Sequence, residues 1–400
     1  MSSPKLRPAI EGGTPIRPEP LPFYRAPITE DDVAAVADTL RSGWLTVGPK
    51  TEAFEHGIAA YTGARHAVAV SSCSDGMIIA LRAAGVKPGD EVITSALTFA
   101  STVHAIVHVG AIPVLADIES ETFGVNPDHV EALITPRTRV IMPVHFGGQA
   151  CRIGELMAIA RRHELRIVED AAHAFGAQVG GRRIGTFGDA TAFSFYATKN
   201  LTTGEGGAVT TNQDDVAERV RLLSYHGMSR DSWTRYSDRG SWYYEVLESG
   251  YKSNLNDMQA ALGLSQLSRL DGLIAQRRVA AVRMIDRLTP CEQVTLPVER
   301  FGNFHTWHLF VIRVHCDSLR IGRNRFIEAL HAENISCSVH FIPVYRHPFW
   351  ALYHSDSGVF PECESYYEQC ISLPLFPGMS EGDCDDVAEA VTRIARYYAT

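Results

Sequence analysis

Lys199 sits in a setting that could do chemistry. The segment Thr191–Thr211 reads as a short apolar strand, a hydroxyl-rich turn with one lysine, a glycine-rich turn and a second apolar strand. Upstream, Leu165–His173 reads as a buried strand that ends in two carboxylates, Glu169 and Asp170, with His173 just beyond. A lysine amine that can form a Schiff base, with an acid placed to hold a pyridinium nitrogen, is the minimum equipment of pyridoxal phosphate chemistry. Taken singly, each piece also has an ordinary reading. Lys199 could be a surface lysine, the Glu169–Asp170 pair a solvated strand end, and His173 a satisfied structural histidine.

Other segments could complete such a site. The strand Ala67–Val70 runs into the small, polar Ser71–Gly76 and then a helical run from Met77. Backbone amides at such a helix start, with the positive end of its dipole, suit a phosphate. The same pattern is also that of a plain capped helix, with Ser74 or Asp75 as the cap. The Asp75 side chain cannot attract a dianion, so it is expected to cap while its amide donates. Phe99, beyond the strand Glu91–Thr94, could stack on an aromatic cofactor or pack into the core. Ser194 and Asn200 lie close enough to Lys199 along the chain to add phosphate or turn hydrogen bonds. The run Thr202–Gly207 predicts a turn with positive φ and lacks the GxxxxGK[ST] form of a nucleotide loop. His104 and His108 are spaced like a metal pair, but no HExxH accompanies them and a structural role is expected. The segment His340–His347 holds two histidines and no further ligands at zinc-like spacing.

The chain as a whole bounds these readings. Its 400 residues suggest two domains, and 45% hydrophobic with 21% charged residues is an ordinary globular composition. A net charge of −9 argues against a nucleic-acid-binding surface. The eight cysteines are scattered without a CxxC pair, which favours free thiols in a reducing compartment. No apolar signal core and no membrane-length segment is evident, so a cytoplasmic protein with no membrane partner is expected.

Residues 1–27 are proline-rich and predict an extended arm. Strands are predicted at Ala67–Val70, Glu91–Thr94, Ile112–Asp117, Val140–Val144, Arg166–Glu169, Thr191–Phe195 and Ala208–Thr211. Amphipathic helices fall between several of them. One carries Ile153, Leu156, Met157 and Ala160 on a single face. Such alternation implies a mostly parallel sheet covered on both sides, with ligands beyond the carboxyl ends of its strands. One long helix is predicted over Asn256–Leu288. Beyond Pro290, strand-like runs Trp307–Val314 and Ile335–Phe341 and helical runs Arg323–Glu333 and Glu381–Ala395 predict a smaller α+β domain.

Ordered matches at Ser42–Lys50, Ser71–Leu81, Thr94–Thr102, Pro143–Gln149, Val168–Gly176, Phe193–Asn200, Gly250–Ala261, Trp307–Phe310 and Leu373–Pro377 span nearly the whole chain. Together they resemble the fold-type I nucleotide-sugar aminotransferases, the DegT-like family of pyridoxal phosphate enzymes. The resemblance implies an arm at 1–27, a large α/β domain at 28–265, and a linking helix with a small α+β domain at 266–400. It implies that Lys199 forms the Schiff base, Asp170 pairs with the pyridine nitrogen and Phe99 lies on the ring face. It implies that Ser74, Asp75 and Ser194 hold the cofactor phosphate, and His173, three residues past Asp170, could bond the cofactor phenolate or flank the ring. Asn254 looks like the position that reaches the phosphate of a neighbouring subunit, which implies a homodimer; some relatives carry arginine there. Ser74 stands where threonine is usual, and the hydroxyl is kept.

The activity implied is transamination from L-glutamate through a pyridoxamine phosphate form to a nucleotide-diphosphate ketosugar. Lysine rather than histidine at position 199 favours it over sugar dehydration. His173, Thr202–Gly207 and Tyr251–Asn254 look more like members that aminate C4 of a 4-keto-6-deoxyhexose or 4-keto-pentose. Members acting at C3 more often show glutamine at the histidine position. The alternatives are amination at C3, a cyclitol ketone as acceptor, a non-enzymatic regulator on this scaffold, and a metal enzyme using His104 and His108. Specificity is expected to lie in the arm, the Trp44 loop, the stretch Met228–Leu247 and the loop His340–His347.

Overall fold

The seven apolar runs assemble into one sheet. They are β1 (His66–Val70), β2 (Glu91–Ser95), β3 (Ile112–Ala116), β4 (Thr138–Met142), β5 (Arg166–Asp170), β8 (Ala190–Ser194) and β9 (Gly207–Thr211), in the order β1-β9-β8-β5-β4-β2-β3. Only β9 runs antiparallel to its neighbours β1 and β8. The pairs β2–β3, β2–β4, β4–β5 and β5–β8 are parallel. The short β6 (Gln178–Val179) and β7 (Arg182–Arg183) form a side hairpin. The computed structural model describes residues 7–229, 243–350 and 359–400. The first six residues of the arm and most of the stretch 228–247 read as a specificity element lie outside the described residues.

Successive strand residues point to opposite faces, and both faces are covered. Val68, Val70, Val92, Val168 and Ala190 pack with Met77, Ile79 and Leu81 of α3 (Cys73–Ala83) and Ile106 of α4 (Ala100–His108). Their alternates Ala67, Ala69 and Phe193 pack with Phe54 and Ile58 of α2 (Pro49–Thr62). Ile93 and Ile141 meet Ile153 and Leu156 of α6 (Ile153–Arg162). On that helix the fourth fully inward residue is Ile159, while Met157 is only half-buried. Two-sided burial explains why the strands read as continuous apolar runs.

Helix α1 (Glu30–Ser42) precedes this core, and α5 (Pro127–Ala132) and α7 (Asp214–Ser224) lie within it. Two helices then replace the single one expected over Asn256–Leu288: α8 (Asp257–Ser268) and α9 (Leu270–Leu288). Between them Arg269 leaves helical geometry at φ −122°, ψ 9°. Its guanidinium reaches back to the Pro27 carbonyl at 2.8 Å and to the Asp32 carboxylate, so a tertiary contact makes the break where no glycine or proline marks it. Asp257 bonds the amides of Lys50 and Thr51 (3.1 and 2.9 Å), capping α2 from outside its own segment.

The C-terminal part builds a second core. Strands β10 (Val294–Thr295), β12 (Phe310–Val314) and β13 (Cys370–Leu373) form a small antiparallel sheet, and β11 (Asn303–Phe304) joins the β6–β7 hairpin. The helices α10 (Arg323–Ala332), α11 (Pro361–Gln369) and α12 (Glu381–Tyr398) complete it. The run Ile335–Phe341 is not a strand. It makes only isolated bridges, Leu21 with Ile335 and Ser338 with Ser372, because the N-terminal arm takes one of its edges.

The arm is tied down rather than free. Glu333, fully buried, accepts the amides of Ala9 (2.9 Å) and Ile16 (2.8 Å) and pairs with Arg393 at 3.3 Å. Replacing Glu333 with alanine leaves two part-buried amides without acceptors and takes from Arg393 one of its two carboxylate partners, Glu389 remaining at 3.4 Å. A loss of about 3 kcal/mol is expected in urea unfolding, with protease cleavage appearing first within the arm.

Candidate active site

The carboxyl ends of β1, β2, β5 and β8 all open on one edge of the sheet, where ligands of such folds collect. At the end of β5 the peptide alternation turns Glu169 and Asp170 to opposite sides. Glu169 faces inward, accepts the Thr191 hydroxyl (2.6 Å) and the Gly188 amide (2.8 Å), and meets His145 Nε2 at 2.8 Å. The Cys151 amide donates to His145 Nδ1 at 3.2 Å, so the ring proton resides on Nε2 and is directed at Glu169. Asp170 faces the site. Its carboxylate accepts the Thr102 hydroxyl at 2.7 Å and the Ala172 amide at 3.0 Å, with Cys73 Sγ at 4.0 Å. The neighbouring Thr98 hydroxyl fixes Thr102 at 2.6 Å. A buried carboxylate so held keeps lone pairs for one further donor. The alternative of a solvated strand end gives way to a buried pair in which each acid has its own partners.

Lys199 follows β8 by a tight turn closed by its own amide on the Tyr196 carbonyl at 2.9 Å. Its side chain is half-buried, and among the described residues Nζ makes no hydrogen bond. Burial lowers the amine to about 8, an effect that Cys73 and Asp170 only partly oppose. Three imidazoles gather on this side. The ring centroids of His173 and His308 lie 4.4 Å apart, and Phe341 stacks on His173 at 5.7 Å. His173 Nδ1 accepts the Gly147 amide at 3.3 Å, and His340 Nδ1 meets Ser372 Oγ at 2.8 Å. Burial first, and the Lys199 charge second, push His340 down to about 4; burial also carries His173 and His308 well below the usual range. All three are neutral at pH 7.

The phosphate-type turn has a different cap from the two expected. Ser72 is the N-cap of α3, and its hydroxyl accepts the Asp75 amide at 3.1 Å. Asp75 thus spends its amide within the turn, and its carboxylate takes the Ser71 hydroxyl. Ser74 lies in the first helical turn. Gly207 opens β9 against this turn: a Cβ there would come 2.7 Å from the Cys73 amide nitrogen and 2.6 Å from the Phe193 carbonyl. That close approach, with positive φ at Gly204 and Gly206, accounts for the glycine-rich run. Ser194, at the end of β8, is buried and accepts the Tyr196 amide at 3.4 Å. Phe99 is 60% exposed, which removes the core-packing alternative, and its ring is 5.7 Å from that of Phe341.

Asn254 bridges to Val70 on the same chain, accepts from Lys252 and donates to the Leu255 carbonyl at 3.0 Å. Asn200 also turns away, donating to the Thr306 carbonyl at 3.4 Å. His104 stacks between His108 (6.2 Å) and Trp350 (5.4 Å), and no group of metal-ligating side chains occurs among the described residues.

Thr102 and His308 were not singled out from the sequence, while His340 and Phe341 were named only within the His340–His347 loop, as a poor metal candidate and a specificity element. Thr102 and His308 lie inside matched segments, Thr94–Thr102 and Trp307–Phe310, whose side chains had no assigned task. The site fits pyridoxal phosphate: an unpartnered amine of lowered pKa, a fixed acid with spare acceptor capacity, an exposed aromatic face and a helix start lined with hydroxyls.

The model of the DegT/DnrJ/EryC1/StrS aminotransferase family matches residues 27–392. The chain belongs to that family. It is similar to the spore coat polysaccharide biosynthesis protein SpsC of Bacillus subtilis, at 48% identity over 94% of this chain and 97% of that one. Among solved structures, the sugar aminotransferase Spr1654 of Streptococcus pneumoniae in its PMP form shares 31% identity, with a TM-score of 0.88 over 94% of this chain and 99% of that one. DesI, solved in the presence of its TDP-sugar product, shares 29% identity, with a TM-score of 0.87 over 97% and 96% of the two chains. The fold is that of the fold-type I aminotransferases, and the protein is a sugar aminotransferase that depends on pyridoxal phosphate.

Proposed function

We propose that this aminotransferase moves the amino group of L-glutamate to C4 of a nucleotide-activated 4-keto-6-deoxyhexose. The observation that carries the reading is Lys199, half-buried with its amine at about 8, beside the buried and doubly bonded Asp170. Likeness to DesI with its TDP-sugar product supports a nucleotide sugar. His173, where members acting at C3 more often carry glutamine, supports C4.

Bound pyridoxal phosphate supplies an aldehyde that holds the amino group and a ring that accepts electron density. Lys199 Nζ would hold the cofactor covalently and, when free, would take the proton from the donor Cα. Asp170 would keep the ring nitrogen protonated, Phe99 would lie on the ring face, and His173 would bond the phenolate or flank the ring. Ser74 and Ser194 would hold the phosphate, while Asp75, its amide and carboxylate both engaged within the turn, would shape the helix start. A homodimer with shared sites completes the reading. Asn254 lines an open groove of about 640 Å³ with Val47, Thr51, Tyr225, Met228 and Leu247, suited to a second copy.

A pH dependence follows from Lys199. Its amine attacks only when neutral, so capture of cofactor by the stripped protein should quicken tenfold per pH unit below about 8 and level off above it. A limb near the ordinary lysine value would contradict the burial of Lys199. The proposed reaction is tested with nitrogen-15-labelled L-glutamate and a thymidine-diphosphate 4-keto-6-deoxyhexose, reading the product by NMR. Nitrogen on C4 is expected. Nitrogen only on the C3 of a 3-ketosugar, or activity with scyllo-inosose alone, would select the alternatives.

A further inference from the structure

Arg277 of α9 is 1% exposed, and among the described residues no carboxylate pairs with it. Its Nη1 donates to the carbonyls of Leu375 (2.8 Å) and Trp307 (3.4 Å). Its Nε and Nη2 are buried with no partner. Tyr24 of the arm lies beside it, with the guanidinium carbon 5.8 Å from the ring centroid, and the Tyr24 hydroxyl is also buried without a partner. The indole Nε1 of Trp307, whose carbonyl Arg277 holds, is a further buried donor left open. An unpaired buried charge and unmet buried donors each cost several kcal/mol. Burial pulls Arg277 down only to about 10, so it stays a cation at neutral pH. The open groups are N–H donors and one hydroxyl, so the missing partner must accept, and one that carries negative charge also neutralises the guanidinium.

We propose that Arg277 and Tyr24, with the Trp307 indole beside them, hold a small monovalent anion of halide size. The anion would lie in the seam between the N-terminal arm, α9 and the segment Thr306–Leu309. It neutralises the guanidinium, receives the open donors and fastens Tyr24, and with it the arm, to the helix. The next residue after Trp307 is His308, so occupancy also steadies one imidazole of the active site. The anion site does not include Lys199 and does not depend on which amino donor the enzyme uses.

Two measurements on the cofactor-loaded protein decide it. In crystals containing bromide, an anomalous peak is expected within hydrogen-bonding reach of Arg277 Nη2 and the Tyr24 hydroxyl. In solution at constant ionic strength, replacing gluconate with chloride should raise Tm by about 2 °C per tenfold rise in chloride above the dissociation constant. Arg277→Met should abolish that dependence, and Tyr24→Phe, which keeps the guanidinium and the fold, should weaken it. Ordered waters with no anomalous signal would overturn the proposal. So would a bromide peak without any chloride dependence in solution, which is binding at crystal concentration only, or a dependence equal in wild type and Tyr24→Phe.

Discussion

Lys199→Ala is expected to lower transamination by roughly 10⁴-fold, because on the proposed reading one side chain serves as both the covalent tether and the proton carrier. Borohydride treatment of the loaded wild-type protein should fix the cofactor mass on the peptide that bears Lys199, and on none in the variant. The folding cost is expected to be small. Lys199 is half-buried, its amine makes no hydrogen bond among the described residues, and its removal relieves the cost of desolvating a charge. A variant that folds, binds cofactor loosely and fails to turn over is the expected result. Turnover near wild type would remove Lys199 from the chemistry.

Asp170→Asn should be the next most damaging change, lowering the rate by about 10²–10³-fold. The amide is nearly isosteric with the carboxylate and can still accept the Ala172 amide and bond Thr102, so the fold and much of the cofactor affinity should remain. What is lost, on the proposed reading, is the negative charge that would keep the ring nitrogen protonated and the ring an electron sink. Single-turnover rates with the amino donor separate this from a binding defect, since the chemical step should slow while the donor's apparent affinity moves little. An unchanged single-turnover rate would mean that another group holds that nitrogen.

The sheet and the strand-end position of Lys199 and Asp170 were legible because they rest on local signals. Buried strands in a two-sided sheet are apolar throughout, and all seven runs appeared with boundaries shifted by a residue or two. The shift at β4, read as Val140–Val144 and found at Thr138–Met142, reflects pairing partners that the run itself does not reveal. The α3 cap was misplaced because Ser71, Ser72, Ser74 and Asp75 offer similar side chains, and only the backbone angles select Ser72. The break at Arg269 was not legible, since it depends on Pro27 and Asp32, which lie far away in the sequence. The place of His308 and His340 beside Lys199 stayed hidden for the same reason. Each has an unremarkable local context, and only folding of the C-terminal part brings them to the residues around Lys199. The Glu169–Asp170 pair could be read as two acids, but not that one bonds His145 behind the strand while the other faces the site.

The most direct test of the central claim is the visible absorption spectrum of the purified, cofactor-loaded protein before and after addition of L-glutamate. A yellow band that bleaches as 2-oxoglutarate accumulates is the predicted result: Lys199 holds the cofactor and gives it up to the amino donor. A protein that binds pyridoxal phosphate without a yellow band, or a band that no amino donor bleaches, would contradict the account.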